Sequence, residues 1–134
     1  SRKCINIDMK MVLALALALI LTGCAARFSE TNYNSMVNLV TITRDSGEAC
    51  SSKENMIKTY ESANAEGIHI LEHSAGRKDP DITKMITDLN TEIANFGKQL
   101  ASGKISVFYC KSKMDNINHG ARIMLHAEGE KPRI

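Results

Sequence analysis

Three features of the chain predict an all-α fold, a small antiparallel helical bundle or hairpin of three to four helices stapled by one disulfide. Apolar side chains recur at alternating steps of three and four through much of residues 30–127, the period of a buried helix face. Capping and stop residues flank those runs. Two cysteines, Cys50 and Cys110, fall at junctions that a helical hairpin brings to one end.

The first helix is expected from about Glu30 to Asp45, with Tyr33, Met36, Val37 and Val40 on one face. A strand competes over Val37-Asn38-Leu39-Val40-Thr41-Ile42-Thr43, because β-branched residues lose rotamer freedom in a helix and suit a pleated surface. Ser46-Gly47 then interrupts the pattern ahead of Cys50. For the second helix, Ser51 and Glu54 have capping-box spacing, the hydroxyl taking a first-turn amide and the carboxylate reaching back. Met56, Tyr60, Ala63, Gly67, Ile70 or Leu71, and Ser74 make its stripe, and Gly76 is the expected stop. Gly67 costs a helix about 1 kcal/mol against alanine, so its place in the stripe points to close approach of a neighbouring helix.

The third helix carries the strongest pattern. Asp79 is placed to cap it, Pro80 suits a first position whose amide is unused anyway, and Asp81 complements the helix dipole. Ile82, Met85, Ile86, Leu89, Ile93, Phe96 and Leu100 form the buried stripe. Thr83, Lys84, Thr87, Asp88, Asn90 and Thr91 are expected to face away, and Gly103 closes the helix. Residues Ile105 to Cys110 read either as a short strand or as the lead-in to a last helix. Met114, Ile117, Ala121 and Met124 carry that helix to about His126, which leaves residues 128–134 as a polar tail.

Helices two and three, at about 23–25 residues each, are roughly 35 Å long at 1.5 Å per residue. The link from Arg77 to Pro80 can join them only as antiparallel neighbours. The junction before helix two and the junction after helix three then lie at the same end, and they hold Cys50 and Cys110. A disulfide is expected between them. A redox pair is the rival, but it lacks the C-x-x-C geometry that lowers a thiol pKa. Closing so long a loop contributes roughly 3–4 kcal/mol by the chain-entropy argument, a large share of the stability of a small domain.

Ahead of this domain, Met11 to Leu21 is an unbroken apolar run of eleven residues. It is shorter than the roughly 20 residues that span a bilayer and has the length of a signal-peptide core, with Lys10 as its positive flank. A buried helix would show a polar face, and this run has none. Leu21-Thr22-Gly23-Cys24 at its end resembles a lipobox, the sequence at which bacterial lipoproteins are acylated and cleaved. The resemblance implies a signal peptide over residues 9–23, lipidation of Cys24, a tether over 24–29 and the helical domain over 30–127. Residues 1–8, which precede Met9, are expected to be an upstream artefact, and Cys4 with them. Ala25, where an aspartate would retain a lipoprotein in the inner membrane, implies a cell-envelope location at the outer membrane, facing the periplasm; a Gram-positive source would place it on the cell surface instead. One acyl chain binds membranes marginally; the two or three of a lipoprotein cysteine hold durably. An exported compartment is also oxidising, which suits the Cys50–Cys110 pairing.

With Arg2, Lys3, Asp8 and Lys10 set aside, 14 basic residues balance 14 acidic ones. No net basic charge draws the domain to nucleic acid. The absence of tryptophan, with three tyrosines and three phenylalanines, argues against a platform for sugars or bases. No G-x-S-x-G elbow or phosphate-binding glycine loop occurs. His69-Ile70-Leu71-Glu72-His73 does match H-x-x-E-H, in which two histidines one turn apart bind zinc and the glutamate activates water. That pattern belongs to larger domains with a third carboxylate ligand on another helix. His69 and His73 are therefore read first as solvated flank residues and only second as metal ligands. His119 and His126, two turns apart, have no paired acid or nucleophile in the sequence. Met56, Met85, Met114 and Met124 fall on the core stripes as packing residues. No cofactor and no enzymatic activity are expected.

The lipobox, the run Phe-Tyr-Cys-Lys-Ser-Lys-Met-Asp-Asn-Ile from Phe108 to Ile117 and the Gly-Glu-Lys-Pro-Arg ending together are similar to small lipoproteins of bacterial and marine bacteriophage genomes. The resemblance implies a two-cysteine helical body on a lipid anchor, with no activity attached. The expected function is non-enzymatic binding of an envelope protein, as an accessory module or as a phage- or plasmid-encoded exclusion factor. An outer-membrane spanin subunit for lysis is the narrower alternative, and two prolines are few for one. A small metal-dependent hydrolase built on His69, Glu72 and His73 is the alternative from a different class.

Overall fold

The computed structural model describes residues 26–133. The apolar run, the lipobox and Cys24 lie outside the described residues. Within them the chain forms five helices, α1 (Glu30–Arg44), α2 (Ser46–Ala49), α3 (Lys53–Gly76), α4 (Pro80–Ser102) and α5 (Val107–Gly129). Each begins where a short polar side chain accepts a first-turn amide: Ser29, Asp45, Ser52, Asp79 and Ser106 in turn. The expected cap of the second long helix is displaced by one residue. Ser52 Oγ accepts the Asn55 amide at 3.0 Å, while the Ser51 hydroxyl donates to the Glu48 carbonyl and so finishes α2.

Neither candidate strand forms; the described residues are helical through 37–43, and α5 begins at Val107. The Thr41 and Thr43 hydroxyls return to the carbonyls of Val37 and Leu39 at 2.8 and 2.9 Å, which accommodates β-branched residues inside α1. Met36, Leu39 and Thr43 bury one face of that helix completely. Tertiary burial of the helical stripe outweighs the local β preference.

α1, α3, α4 and α5 form a ring in which α1 lies beside α3 and α5, and α4 lies beside the same two. Each helix runs antiparallel to its neighbours. The core between them comes from the expected stripes: Met56, Ala63 and Ile70 of α3, Ile82, Ile86, Ile93 and Phe96 of α4, and Met114, Ile117, Ala121 and Met124 of α5. A fully buried Ile, Phe or Met contributes about 1.5–3 kcal/mol over its exposed state. One end of the ring is stapled by the disulfide Cys50–Cys110, which is buried and joins α2 to α5 with Cα atoms 5.9 Å apart.

α3 ends at Gly76, as expected, but the glycine does not supply the left-handed turn that closes it. The left-handed position falls two residues later on Lys78, at φ 57°. The Lys78 and Asp79 amides return to the carbonyls of Ala75 and Ser74 at 3.1 and 3.0 Å, a closure ordinarily given to glycine. Asp79 then caps α4 at once, so the α3–α4 link has no slack. Gly103 ends α4 as expected, at φ 74°.

Two residues of α4 expected to face away face α3 instead. The Thr83 hydroxyl donates to Ser74 Oγ at 3.0 Å, and Asn90 Nδ2 donates to the Gly67 carbonyl at 3.1 Å. Asn90 reaches that carbonyl because Gly67 has no side chain, which is the close approach expected from its place in the stripe. The polar tail is also corrected. α5 continues to Gly129, and Glu128 near its end is fully buried. Residues 26–29 and 130–133 pack on each other, with the Phe28 amide donating to the Pro132 carbonyl at 2.8 Å. The Arg133 guanidinium lies 3.8 Å from the centroid of the Phe28 ring. Among the described residues no helix is long and apolar enough to cross a membrane.

Alanine normally stabilises a helix by about 1 kcal/mol over glycine. At Gly67 the sign should reverse, because a Cβ there collides with Asn90 Oδ1 and dislodges the Asn90–Gly67 hydrogen bond. Gly76 has open space around it. Urea unfolding should find Gly67→Ala destabilised by about 1–3 kcal/mol and Gly76→Ala unchanged or stabilised by up to about 1 kcal/mol.

Candidate functional site

The polar side chains collect at the end of the ring opposite the disulfide, where α1 and α4 begin and α3 and α5 end. Ser29, Asp79 and Glu128 are 5%, 3% and 0% exposed, so each charge or hydroxyl must be answered by the protein. The Ser29 amide donates to Glu128 Oε2 at 2.8 Å. The Lys131 ammonium lies 3.3 Å from Glu128 Oε1 and forms an ion pair with Asp79 Oδ2. One buried cation thus serves two buried carboxylates, and the Ser29 amide supplies the remaining compensation. A cleft of about 430 Å³ opens beside this cluster, lined by Asp79, Asp81, Met85, Glu130, Lys131 and Pro132 among others.

His69 and His73 come from the last two turns of α3 and face α1. The Ser35 hydroxyl is 2.8 Å from His69 Nδ1, and the Ser29 hydroxyl is 3.0 Å from His73 Nε2. Their rings are near parallel with centroids 6.4 Å apart. Burial lowers the His73 pKa, the Arg77 charge and the neighbouring His69 lower it further, and Glu128 opposes them. With its proton on Nδ1, a neutral His73 can accept a hydrogen bond from the Ser29 hydroxyl through Nε2, while Ser29 Oγ accepts the Asn32 amide at 3.1 Å as the cap of α1. The pair has the distance of a nucleophile and its base. Glu128, whose charge acts on His73, takes the Ser29 amide, and among the described residues no carboxylate bonds to the second ring nitrogen as the orienting contact of a triad would.

The H-x-x-E-H residues are therefore brought to one face, but as partners of α1. Glu72 is exposed. Among the described residues no group of three or more His, Cys, Asp or Glu side chains is placed to hold a metal ion. His119 is exposed, and His126 Nε2 faces Glu130 one turn on at 3.3 Å. Of the four methionines expected on the core stripes, Met56, Met114 and Met124 are buried, and Met85 is only half-buried against the core. Cys50 and Cys110 are joined, whereas Cys24 lies outside the described residues. Sequence reasoning missed Ser29, Glu128 and Lys131. A signal for Glu128 was present, since Ile117, Ala121, Met124 and Glu128 step by four, three and four onto the buried stripe.

Comparison of the chain with protein-family models, curated proteins and solved structures returned no match.

Two outcomes follow from the cluster. Lys131→Met should destabilise the fold by about 3–5 kcal/mol, because it strands two buried carboxylates. Adding Glu128→Gln should recover part of that loss in the same urea titration. The second outcome concerns pH. The folded state holds the His73 pKa below the ordinary imidazole value of 6.5, so the unfolded chain binds more protons between the two values. Stability from this group is complete above that value and falls as pH drops through the folded pKa. Unfolding free energies at pH 7.5 and 5.5 should differ less in His73→Gln than in the unmodified protein.

Proposed function

We propose that this chain is a lipid-anchored module of a bacterial envelope, or a phage- or plasmid-encoded equivalent, that works by binding another protein. The observation that carries the reading is the cysteine allocation. Leu21-Thr22-Gly23-Cys24 follows a signal-length apolar run, and the other two cysteines of the domain form a buried disulfide, which suits an exported compartment. Ala26 lies two residues from Cys24. The end of the ring that carries Ser29 is thus the end held near the bilayer, with the disulfide end turned away from it. The outer membrane facing the periplasm is the proposed location.

A non-enzymatic role is supported by how the polar groups are used. Ser29 and Ser35 engage the two histidines, and Lys131 neutralises the buried carboxylates. These contacts tie α1, α3, α4 and α5 together at their shared end. Accessory binding and exclusion are both compatible with such a module, and the spanin role is its narrower version.

Expression of the full chain with labelled palmitate tests the anchor. Label should enter the protein and vanish in Cys24→Ser, and the variant should leave the membrane fraction. A serine variant that still carries label would overturn the reading.

A further inference from the structure

The balance of 14 basic and 14 acidic side chains hides a lengthwise segregation. At the disulfide end, residues 44–58 and 98–113 hold seven basic and three acidic side chains. Across the middle, residues 34–43, 59–68, 86–97 and 114–123 hold one basic and five acidic. At the Ser29 end, residues 26–33, 69–85 and 124–133 hold six of each.

The three carboxylates of the disulfide end are already engaged. Asp45 Oδ1 caps α2 at 3.0 Å, Glu48 Oε1 is 3.5 Å from Asn55 Nδ2, and Glu54 faces Lys58 at 3.8 Å. Lys53, Lys98, Lys104 and Lys111 are exposed and make no ion pair among the described residues. The Lys53 ammonium sits against the α4–α5 turn, 3.9 Å from where a Cβ on Gly103 would stand. α5 starts at that turn with no acidic side chain in its first turn, so its partial positive charge adds to the lysines. In this field Phe108 is 83% exposed and Val107 52%. Folding places neither side chain in the core.

We propose that this tip, Val107 and Phe108 flanked by Lys53, Lys104 and Lys111, is the docking surface for a partner protein that presents an apolar pocket with an acidic rim. The inference deepens the partner-binding reading and rests on it. An aromatic knob in a pocket is the kind of contact that concentrates binding energy, and ringed charges set orientation and rate of encounter. α3 is 24 residues long, about 36 Å at 1.5 Å per residue. That length separates the tip from the end nearest Cys24 and holds it away from the anchoring leaflet. A second copy offers an acidic-rimmed groove of its own between α4 and α5, lined by Met85, Leu89 and Ile123 with Asp88 and Glu92. Copies anchored at the same end stand parallel, however, and bring one basic tip beside another.

The test uses the full chain in phosphatidylcholine nanodiscs, screened against displayed peptides of random sequence. Selected peptides should be rich in Asp and Glu around an apolar residue, and their binding should weaken as salt rises. Binding should fall at least tenfold in Phe108→Ser and in the double variant Lys104→Glu, Lys111→Glu, and stay unchanged in Arg77→Gln at the other end. Circular dichroism should find all these variants folded. Acidic peptides that bind Phe108→Ser undiminished would overturn the tip while leaving the partner-binding reading intact. Selection of no peptide would overturn both, and palmitate labelling reports on the anchor independently. Recruitment of phosphatidylglycerol vesicles through Phe108, with no peptide bound there, would reassign the tip to a lipid surface. Phe108-dependent doubling of the particle mass would reassign it to self-association.

Discussion

A buried carboxylate has few ways to persist in a protein core, and Glu128 dictates much of how this bundle closes. Its two oxygens need partners that the α5 helix cannot supply from its own interior. One comes from the Ser29 amide, at the start of α1, and the other from Lys131, just past the end of α5. Lys131 in turn reaches Asp79, which caps α4. Three helix termini, the starts of α1 and α4 and the end of α5, are thereby held to one charge-neutralising contact. The direction in which residues 26–29 approach α1 follows from it.

The opposite end is closed by covalent means. Cys50 follows α2 and Cys110 lies in the first turn of α5, so the staple ties the short helix to the start of the last one. Between the staple and the ion cluster, α3 and α4 lie close because Gly67 lets Asn90 bond to its carbonyl. The two ends differ in what they leave exposed. The cluster end spends its polar groups on itself. The disulfide end leaves lysines and Phe108 in solvent.

Much of the fold was legible because burial in a helical bundle is periodic. The stripes of α3, α4 and α5 predicted the core residues, and the antiparallel hairpin predicted the cysteine pairing. Cap positions were legible to within a residue. Ser51 and Ser52 are equally good acceptors by type, and only the end of α2 decides between them. Thr83 and Asn90 were misread because helical periodicity separates apolar from polar side chains, whereas an interface between helices also admits polar groups that find partners. The residues from Glu128 onward were misread for a related reason. Gly129 and Pro132 are local stop signals, but they say nothing of whether the segment beyond them packs back onto another terminus.

From the order of residues alone came the helices, their antiparallel order, the disulfide and the signal-like segment that ends at Cys24. These depend on spacing along the chain, on local backbone preference and on short connections. Only the tertiary structure decided that His69 and His73 serve α1, that Lys131 neutralises both Asp79 and Glu128, and that Val107 and Phe108 are left exposed among lysines. Those outcomes depend on which distant groups share a dry or wet environment. Desolvation and charge pairing act through space, so no period or motif in the sequence encodes them.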